Sequence, residues 1–532
     1  MRLLSLAIVL FAAIAAVAFV VLGLLVSWPW YFGLIWAVPT AVVGIWDLVQ
    51  IKHSILRNYP ILGHLRYFFE SIRPEMMQYF VETDESGKPY NRVQRTAVYE
   101  RAKNVEGVKP FGTELDVYST DYEYITHSVA PKPKQDHMFT VKVGNEQCSR
   151  PYDASILNIS AMSFGALSPN ALEALNKGAK MGGFYHDTGE GGCSPYHTKH
   201  GGDLVWEVGT GYFGCRNDDG KFDPGLFHET ASIDQIKMVE IKVSQGAKAG
   251  HGGVLPGAKV DAEIARVRGI PEGKDCISPA FHTAFSTPTG LLEFTAKIRE
   301  LSGGKPAGFK LCIGRPHEFL AICKAMSTTG IYPDFIVIDG AEGGTGAGPV
   351  EFLDHMGVPL TEGLLFAHNA LVGMGVRTHM RVAASAKVAT AFNIASRLAI
   401  GADWCNAARA FMFAVGCIQA ERCHTNACPV GVATQDPKLF RGLVVADKAE
   451  RAMHFHCNTL EALAEVTAAA GLMHPSEFKP SHLVRRTAPT QVLPYSEIYD
   501  FLEPNELLNG APGSRWKTWL DHASPDTFDR VT

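Results

Sequence analysis

The beginning of the chain is almost entirely apolar. Residues 3–46 contain no charged side chain, and residues 3–26 are long enough to cross the hydrocarbon of a bilayer as a helix. Aromatic residues follow at 28–31, as is typical of a membrane interface. Residues 32–51 predict a returning helix, although they include Pro39 and Asp47. We therefore predict a transmembrane hairpin over residues 1–52.

Basic residues decide the expected orientation of this hairpin. Arg2 precedes the first apolar segment, and Lys52, His53 and Arg57 follow the second, so a hairpin places all of them on the cytoplasmic side. The predicted location is the cell inner membrane, with the rest of the chain in the cytoplasm. A cleaved signal peptide is the alternative, but the apolar run is long for one and no small-residue cleavage site ends it. If the first helix alone spans, the rest of the chain faces outward.

The next segment, residues 53–110, mixes polar and apolar positions. Apolar residues recur at helical spacing, which predicts a membrane-proximal helical collar. We expect its aromatic residues to serve packing. The residues that show this spacing are Leu62, Leu65, Phe68, Phe69 and Ile72.

Short apolar strands alternate with helical stretches from about residue 150 onward. This alternation, with buried strands, indicates a parallel α/β fold. Glycine and polar clusters follow most strands at their carboxyl ends, which favours a (β/α)8 TIM barrel over an open sheet. The predicted strands are 155–160, 183–187, 238–242, 308–313, 334–339, 380–384 and 403–407, with an eighth placed near 276–278. The predicted helices include 170–181, 290–301, 316–328 and 389–400.

Composition narrows the class of protein. The chain has 532 residues and a formal net charge of -5, and it shows no basic stripe, so we expect no nucleic-acid partner. We assign residues 111–480 to the barrel and residues 481–532 to a tail that packs on it. The 11 cysteines are odd in number and scattered, which favours reduced thiols over a disulfide framework.

Three cysteines stand in one short loop, residues 417–428. Cys417, Cys423 and Cys428 are spaced Cys-x5-Cys-x4-Cys, and thiolates are soft ligands that suit iron–sulfur clusters or zinc. Zinc requires a fourth ligand, and the adjacent His424 would have to double back to supply it. Three ligands suit a three-iron cluster, and unligated buried thiols are the alternative.

Together with its continuation CPVGVATQ, this loop resembles the synthase part of glutamate synthase. The resemblance runs from about residue 155 to 437 and includes further motifs in the family's order. It implies an FMN-binding barrel with a [3Fe–4S] cluster on the three cysteines. It also implies the reductive amination of 2-oxoglutarate to glutamate through 2-iminoglutarate, with electrons relayed through the cluster.

Two motifs that carry the resemblance follow the first predicted strands. SAMSFGALS resembles the family's flavin-contacting loop and assigns Ser160, Met162 and Ser163 to the cofactor. HDTGEGG places Gly189 beside the flavin and makes Glu190 an acid of the catalytic region. A simple strand-to-helix connection and a surface turn are the alternatives for these two motifs.

Two lysines are candidates for the same site. In SQGAKAGHGGVLPGAKV, Lys248 matches a catalytic-region lysine of the family, where a cation stabilises a reduced flavin or a substrate carboxylate. Lys310 interrupts the apolar strand GFKLCIG, and its burial is costly unless the ammonium is paired within a site. We expect Lys310 near the N1 edge or pyrimidine oxygen of the flavin; a lysine that reaches solvent from a strand end is the alternative.

Loops after the later strands supply the expected phosphate site. Barrels commonly hold a phosphate after their seventh and eighth strands, and the glycine loop DGAEGGTGAGP lacks a dinucleotide fingerprint. The first phosphate loop, SAK, departs from the Asp-Gly-Gly run of the family, but amides and a lysine still bind phosphate. The residues assigned to FMN in these loops are Gly343, Gly344, Ser385, Ala386, Lys387, Ala408 and Arg409.

Two positions put the substrate in question. The family has Glu and Gln where this chain has His251 and Val254. The family's Gln contributes to 2-oxoglutarate binding, and a site discriminates through such polar contacts. A membrane-linked FMN and iron–sulfur oxidoreductase acting on another amino or hydroxy acid is therefore a second hypothesis. A non-enzymatic electron-transfer or ligand-sensing module is a third.

The apolar N-terminus stands where full glutamate synthases have a glutamine-hydrolysing domain, and no NAD(P) domain is recognisable. We therefore expect free ammonia or a partner to supply nitrogen. We expect an electron-donor protein, a ferredoxin or a reductase subunit, to supply electrons.

Overall fold

Eight parallel strands form a closed barrel in the computed structural model, which describes residues 1–105, 107–510 and 513–532. Each strand pairs with its neighbour in the chain, and the last pairs with the first. The predicted (β/α)8 class is confirmed. The strands are β1 (Leu157–Ile159), β2 (His186–Asp187), β3 (Leu204–Val208), β4 (Ile236–Lys242), β5 (Ala307–Leu311), β6 (Phe335–Asp339), β7 (Arg381–Ser385) and β8 (Trp404–Ala407).

The predicted position of the eighth strand is wrong. Cys276–Ile277 pairs antiparallel with Val254–Leu255 in the long connection between β4 and β5, outside the barrel. The strand that the prediction missed is β3, LVWEV, whose five residues are all buried. The charged Glu207 within it concealed β3 from a search for apolar runs.

Helices follow most barrel strands, and several of them begin at a residue whose side chain caps the helix. Ser168, Thr287 and Thr390 each accept a hydrogen bond from a backbone amide three residues later, which satisfies an otherwise unpaired donor at the helix start. The helices of this part of the chain are Arg92–Ala102, Pro169–Gly182, Pro195–Thr198, Pro224–Ala231, Ala262–Arg268, Pro288–Leu301, Pro316–Thr329, Val350–His355, Leu360–Gly373, Ala391–Ala399, Arg409–Ala414, Pro437–Phe440, Val445–Ala469, Tyr495–Ile498 and Gly513–Asp521.

A β-hairpin closes the amino-terminal end of the barrel. Its strands, Thr140–Val143 and Tyr152–Ser155, pair antiparallel. Val143 belongs to the same buried cluster as Phe335 and Trp404, which are the first residues of β6 and β8. Because this end is filled by apolar side chains, the carboxyl-terminal end is left for a functional site, as in other barrels of this class.

The C-terminal residues contact the barrel unit. Leu483–Ala488 lies between Gln491–Pro494 and Glu123–Ile125 in a three-stranded antiparallel sheet. Further on, Lys324 of the helix Pro316–Thr329 donates hydrogen bonds to two backbone carbonyls near the end of the chain.

Residues Met1–Asn91 form a separate compact unit that begins with a helical hairpin. The helices Arg2–Leu25 and Leu34–Val49 are joined by a 3-10 turn, Trp28–Gly33. They run antiparallel, since the Phe19 side chain reaches Gly33 near the turn and Val9 reaches Gly44. By length and composition two segments, Arg2–Leu25 and Trp28–Val49, are able to cross a membrane, and a signal sequence would pass the same test.

Two further helices, Ser54–Asn58 and Gly63–Met76, and a π-helical turn, Met77–Val81, follow in this unit. Their aromatic side chains do not behave as expected. Phe68 and Phe69 are both more than half exposed, so the expectation that they serve packing is wrong.

Asp334 is a buried carboxylate that joins three parts of the barrel, and it provides a test of the fold. Its Oδ2 accepts hydrogen bonds from Arg299 Nε and Ala307 N, each at 2.8 Å, and its Oδ1 accepts one from Asn145 N at 2.8 Å. We predict that Asp334→Asn lowers the free energy of unfolding by about 3 to 5 kcal/mol, because it leaves the Arg299 guanidinium buried without a counter-charge. Denaturant unfolding of the full chain measures this change.

The control is Asp234→Asn, which alters an exposed carboxylate on the same barrel. It should change the free energy of unfolding by less than about 0.5 kcal/mol. Equal losses in the two variants would contradict the structural role of Asp334.

Candidate functional site

Lys310 lies at the centre of a buried cluster of charged side chains inside the barrel. Its ammonium pairs with the Glu207 carboxylate of β3 and lies 3.2 Å from Glu240 Oε1 of β4. Asp187 of β2 completes a set of three carboxylates whose oxygens lie within 4.8 Å of one another. All four side chains are buried. Lys310 is therefore paired within the barrel, and the alternative of a lysine that reaches solvent is wrong.

One ammonium does not balance three ionised carboxylates away from water. Burial raises the pKa of Asp187, and the charge of Glu207 raises it further, to about 7. Burial also raises the pKa of Glu240 well above its ordinary value. Burial alone would lower the pKa of Lys310, but the neighbouring carboxylates outweigh this effect and raise it. The cluster thus holds Lys310 as an ammonium, and near neutral pH it keeps a proton on Glu240 and part of the time on Asp187.

A second charged group lies at the carboxyl ends of β2 and β4. Glu190 Oε1 is 2.9 Å from Nζ of Lys242, the last residue of β4. Burial would raise the pKa of Glu190, but the positive charges of Lys242, Lys248 and Arg268 outweigh it and lower this pKa to about 2. Gly253 allows the close approach, since a Cβ there would stand 2.4 Å from Glu190 Oε1. Glu190 is therefore an ionised carboxylate held among cations.

The structure brings the two predicted catalytic residues together. Lys248 lies in a 3-10 turn, Gly246–Lys248, in the connection that follows β4, and it is buried. Burial lowers the pKa of Lys248, and the Glu190 charge opposes that effect. Lys248 therefore gives up a proton more readily than a solvated lysine does.

The predicted flavin-contacting loops meet at the same end of the barrel. Ser160 Oγ, directly after β1, and Ser385 Oγ, in the last residue of β7, lie 3.3 Å apart and connect the carboxyl ends of these two strands. Gly189 has a φ of 65°, and a Cβ there would stand 2.7 Å from Ser163 N and 3.0 Å from the carbonyl carbon of Met162. Glycine is required at this position both for its backbone conformation and for the close approach of the two loops.

Loops that follow β6 and β8 also approach one another closely. Arg409 Nη2 donates a hydrogen bond to Thr345 O at 2.6 Å. A Cβ at Gly344 would stand 2.7 Å from the Arg409 guanidinium, and a Cβ at Gly343 would stand 3.0 Å from Gly340 O. Arg409 is therefore beside the glycine loop, as its assignment to the same cofactor requires.

The remaining predicted phosphate ligands lie just after β7 and β8. Ala386 is buried, and Lys387 is half-buried with a left-handed φ of 47°. Ala408 is half-buried after β8. The amides of the two residues before the helix Ala391–Ala399 donate to the Asn393 side chain. An anion here would therefore rely on the loop from Ser385 to Lys387 more than on the helix start.

The three cysteines of the 417–428 loop are free thiols. The loop turns back on itself through left-handed residues, among them Gln419. Burial raises the pKa of Cys417 to about 11, and the charges of Cys423 and Cys428 add to the increase, as expected for neighbouring sulfurs. Lys259 donates to Cys423 O at 3.2 Å, and the charges of Cys423 and Cys428 act on its ammonium.

The spacing of these sulfurs bears on the kind of metal centre. Among the described residues, the Sγ atoms of Cys417, Cys423 and Cys428 do not form a group in which all three atoms lie within 4.8 Å of one another. A single zinc ion needs its ligands about 2.3 Å from one centre, whereas each thiolate of a cluster can bind a different iron. The assignment of the three cysteines to a cluster stays a prediction.

Several charged residues of the site escaped the sequence analysis. They are Lys242, Glu207, Glu240, Asp187 and Arg268. Glu240 and Lys242 interrupt the apolar pattern of predicted strand 238–242 in the same way as Lys310 interrupts its own strand, so the signal was present. Arg268, which donates to Phe164 O at 2.9 Å, ends a helix that the sequence analysis did not identify.

Comparison with known proteins decides the family. Residues 116–473 match the model of a conserved region in glutamate synthase. The chain belongs to the glutamate synthase family. It is also 38% identical over 487 residues to the glutamate synthase large subunit-like protein YerD of Bacillus subtilis, which covers 84% of this chain and 92% of that protein. The resemblance found in the sequence motifs is confirmed.

For other members of the glutamate synthase family, the match covers a smaller share of each protein. The archaeal glutamate synthase (NADPH) of Methanocaldococcus jannaschii is 34% identical over 314 residues, 59% of this chain and 58% of that protein.

Among solved structures, the flavin-binding domain of baker's yeast flavocytochrome b2 shares 11% identity at a TM-score of 0.41, covering 80% of this chain and 85% of that one. A similarity at this TM-score supports no conclusion about cofactor or substrate.

The pKa of Asp187 predicts a change of stability with pH. Its folded-state pKa is about 7, against an ordinary value of 3.8, so the folded chain binds this proton more tightly than the unfolded chain. The resulting stabilisation is present in acid and is lost as the pH rises through this window. Asp187→Asn removes the titration. We predict that the stability of the variant relative to the wild type increases from about pH 4 to pH 7 and then levels off.

Thermal unfolding at a series of pH values measures this difference. The control is Asp218→Asn, at an exposed position, and its difference from the wild type should not vary with pH. A pH-independent difference for Asp187→Asn would contradict the raised pKa of Asp187.

Proposed function

We propose that this chain is a glutamate synthase-like oxidoreductase that binds FMN at the carboxyl end of its barrel and reduces 2-iminoglutarate, formed from 2-oxoglutarate and ammonia, to glutamate. The observation that carries the proposal is the group formed by Glu190, Lys242 and Lys248 at the carboxyl ends of β2 and β4. It lies on the same barrel as the paired Lys310 of β5. This group lies within the residues that match the glutamate synthase family.

The residues present fit FMN. Glycines at Gly189 and Gly344 bring loops from four strands together without intervening side chains. Lys387 and Arg409 supply cations after β7 and β8, where barrels commonly hold a phosphate. Lys310 offers a buried ammonium for the N1 edge of the ring system. When bound, FMN supplies the hydride chemistry that amino-acid side chains do not provide.

The charged side chains suit a dicarboxylic 2-oxo acid. The ammonium groups of Lys242 and Lys248 attract the substrate carboxylates through charge-assisted hydrogen bonds. Glu190, whose pKa is about 2, remains ionised at working pH, so it accepts a hydrogen bond from a protonated substrate nitrogen and does not act as an acid. Lys248, with its lowered pKa, is the better proton donor.

We further propose that Cys417, Cys423 and Cys428 hold a [3Fe–4S] cluster. The three sulfurs are free thiols in one loop, and their charges act on one another. The buried ammonium of Lys259 lies close enough to offset negative charge on the thiolates. A cluster held by these residues would supply one-electron transfer, and the proposed electron donor is a ferredoxin or a reductase subunit. Free ammonia or a partner supplies the nitrogen.

The N-terminal hairpin is proposed to anchor the protein in the cell inner membrane, with the catalytic part in the cytoplasm. The support is the pair of apolar helices and the basic residues at both ends of the hairpin, which orient membrane proteins in this sense.

The position of Val254 favours a second candidate function. Its neighbour Gly253 approaches Glu190 so closely that a Cβ there would stand 2.4 Å from the carboxylate, and Val254 itself is half-buried. An apolar side chain next to this contact suits a less polar amino or hydroxy acid. A non-enzymatic electron-transfer or ligand-sensing role would show no turnover with any of these substrates.

Substitution of a cluster cysteine tests the metal centre. We predict that Cys423→Ser, in protein purified without air, loses most of the iron and the EPR signal of the oxidised cluster, because one iron loses its thiolate. The control is Cys457→Ser, at a free thiol in the helix Val445–Ala469, which should retain iron. Zinc without iron in the wild type would contradict the cluster.

Activity with a chemical reductant tests the reaction. We predict turnover of 2-oxoglutarate plus ammonia to glutamate, and a decrease of roughly 100-fold or more in kcat/KM for Glu190→Gln, because the variant lacks the anion that binds the substrate nitrogen. Glu293→Gln, on an exposed helix face, is the control.

Val254→Gln separates the two candidate substrates. If 2-oxoglutarate is the substrate, the added amide should lower its KM by about tenfold. If the variant instead loses activity on a different amino or hydroxy acid, and the wild type shows no turnover of 2-oxoglutarate, the second candidate is correct.

A further inference from the structure

We propose that the helix Gly63–Met76 lies on the surface of an anionic lipid bilayer, with one apolar face in contact with the acyl chains. The proposal rests on the membrane anchoring proposed above for the N-terminal hairpin. It extends that anchoring from two spanning helices to a third element in the membrane interface.

The helix carries a continuous apolar stripe. Leu65, Phe68, Phe69, Ile72 and Met76 recur at intervals of three and four residues, which places them on one face. Leu65 is 54% exposed, Phe68 55% and Phe69 62%. Single exposed apolar residues are ordinary in soluble proteins, but a contiguous stripe of large ones marks an interaction surface.

The stripe continues beyond the helix. Tyr79, Phe80 and Val81 of the π-helical turn Met77–Val81 are also exposed, Phe80 to 78%. Large aromatic and aliphatic residues over this length, facing outward, are typical of helices that lie in the plane of a bilayer interface.

Hydrogen bonds fix the start of this helix at the end of the second apolar helix. Asp47 lies in the last turn of Leu34–Val49 and is buried. Its Oδ2 accepts from Ile61 N at 3.0 Å, and the His64 ring Nε2 lies 2.9 Å from the same oxygen. The intervening turn is held by His53 N, which donates to Gln50 Oε1 at 2.8 Å. If the hairpin spans a membrane, the apolar stripe therefore begins at the level of the membrane boundary.

The charges beside the stripe select a lipid surface as the occupant. Lys52, Arg57, Arg66 and Arg73 are exposed and lie in the residues between the hairpin and the end of the helix. The cytoplasmic leaflet is anionic, and basic residues next to an apolar face strengthen its binding. Glu70 and Glu75 of the same helix are acidic exceptions, and Glu70 pairs with Arg66 at 2.9 Å.

Photo-crosslinking of the full chain in its native membrane tests the proposal. A p-benzoylphenylalanine replaces Phe69 in one variant and Glu70, on the opposite side of the same helix, in the matched control. We expect phospholipid adducts at position 69, detected by mass spectrometry of the isolated peptide, in several-fold excess over position 70.

Each other outcome has a defined meaning. Adducts from position 69 to the barrel, to a second copy of the chain or to another protein would overturn the proposal, as would equal lipid adducts at both positions. An alkaline carbonate wash separates this failure from failure of the anchor. A chain that stays in the membrane but crosslinks to protein disproves the interfacial helix alone, whereas a chain that washes off disproves the anchor itself.

Discussion

The buried pairing of Lys310 with carboxylates from two neighbouring strands is the interaction on which the site depends. A lone ammonium inside a barrel would cost several kcal/mol, and the Lys310 side chain is tolerated because Glu207 and Glu240 surround it. The three residues come from β3, β4 and β5, so the pairing also requires the register of those strands. A slip of one residue would turn each charged side chain toward the surrounding helices.

Two layers of charge with different character result from this arrangement. In the inner layer, burial keeps protons on carboxyl groups around Lys310. In the outer layer, three cations keep Glu190 ionised. The same type of side chain therefore has opposite proton occupancy a few residues apart, and environments that separate the pKa values of neighbouring acids are typical of catalytic sites. β4 supplies both layers through Glu240 and Lys242, which are two positions apart and so point to the same side of the strand.

The sequence analysis succeeded where a local rule was sufficient. Alternation of strands and helices predicted the parallel α/β fold, and the glycine and polar clusters after the strands predicted the barrel. The cost of burying a lysine singled out Lys310. The same cost of burial was not considered for Glu240 and Lys242, although both interrupt the apolar pattern of predicted strand 238–242 as Lys310 interrupts its own strand. These two residues were therefore missed. The eighth strand was placed at 276–278 because Glu207 interrupts the apolar run of β3. The partners of Lys310 and the approach of Lys242 to Glu190 depend on which strands become neighbours, and spacing along the chain does not contain that information.

The redox potential of bound FMN in the wild type and in Lys310→Met tests the central claim most directly. If the Lys310 ammonium is held beside the flavin, the variant should bind FMN with a more negative midpoint potential, because the reduced, anionic flavin loses a stabilising cation. Spectroelectrochemical titration of both full-length proteins measures the difference. An unchanged potential with FMN bound, or a wild-type protein that binds no FMN, would contradict the account.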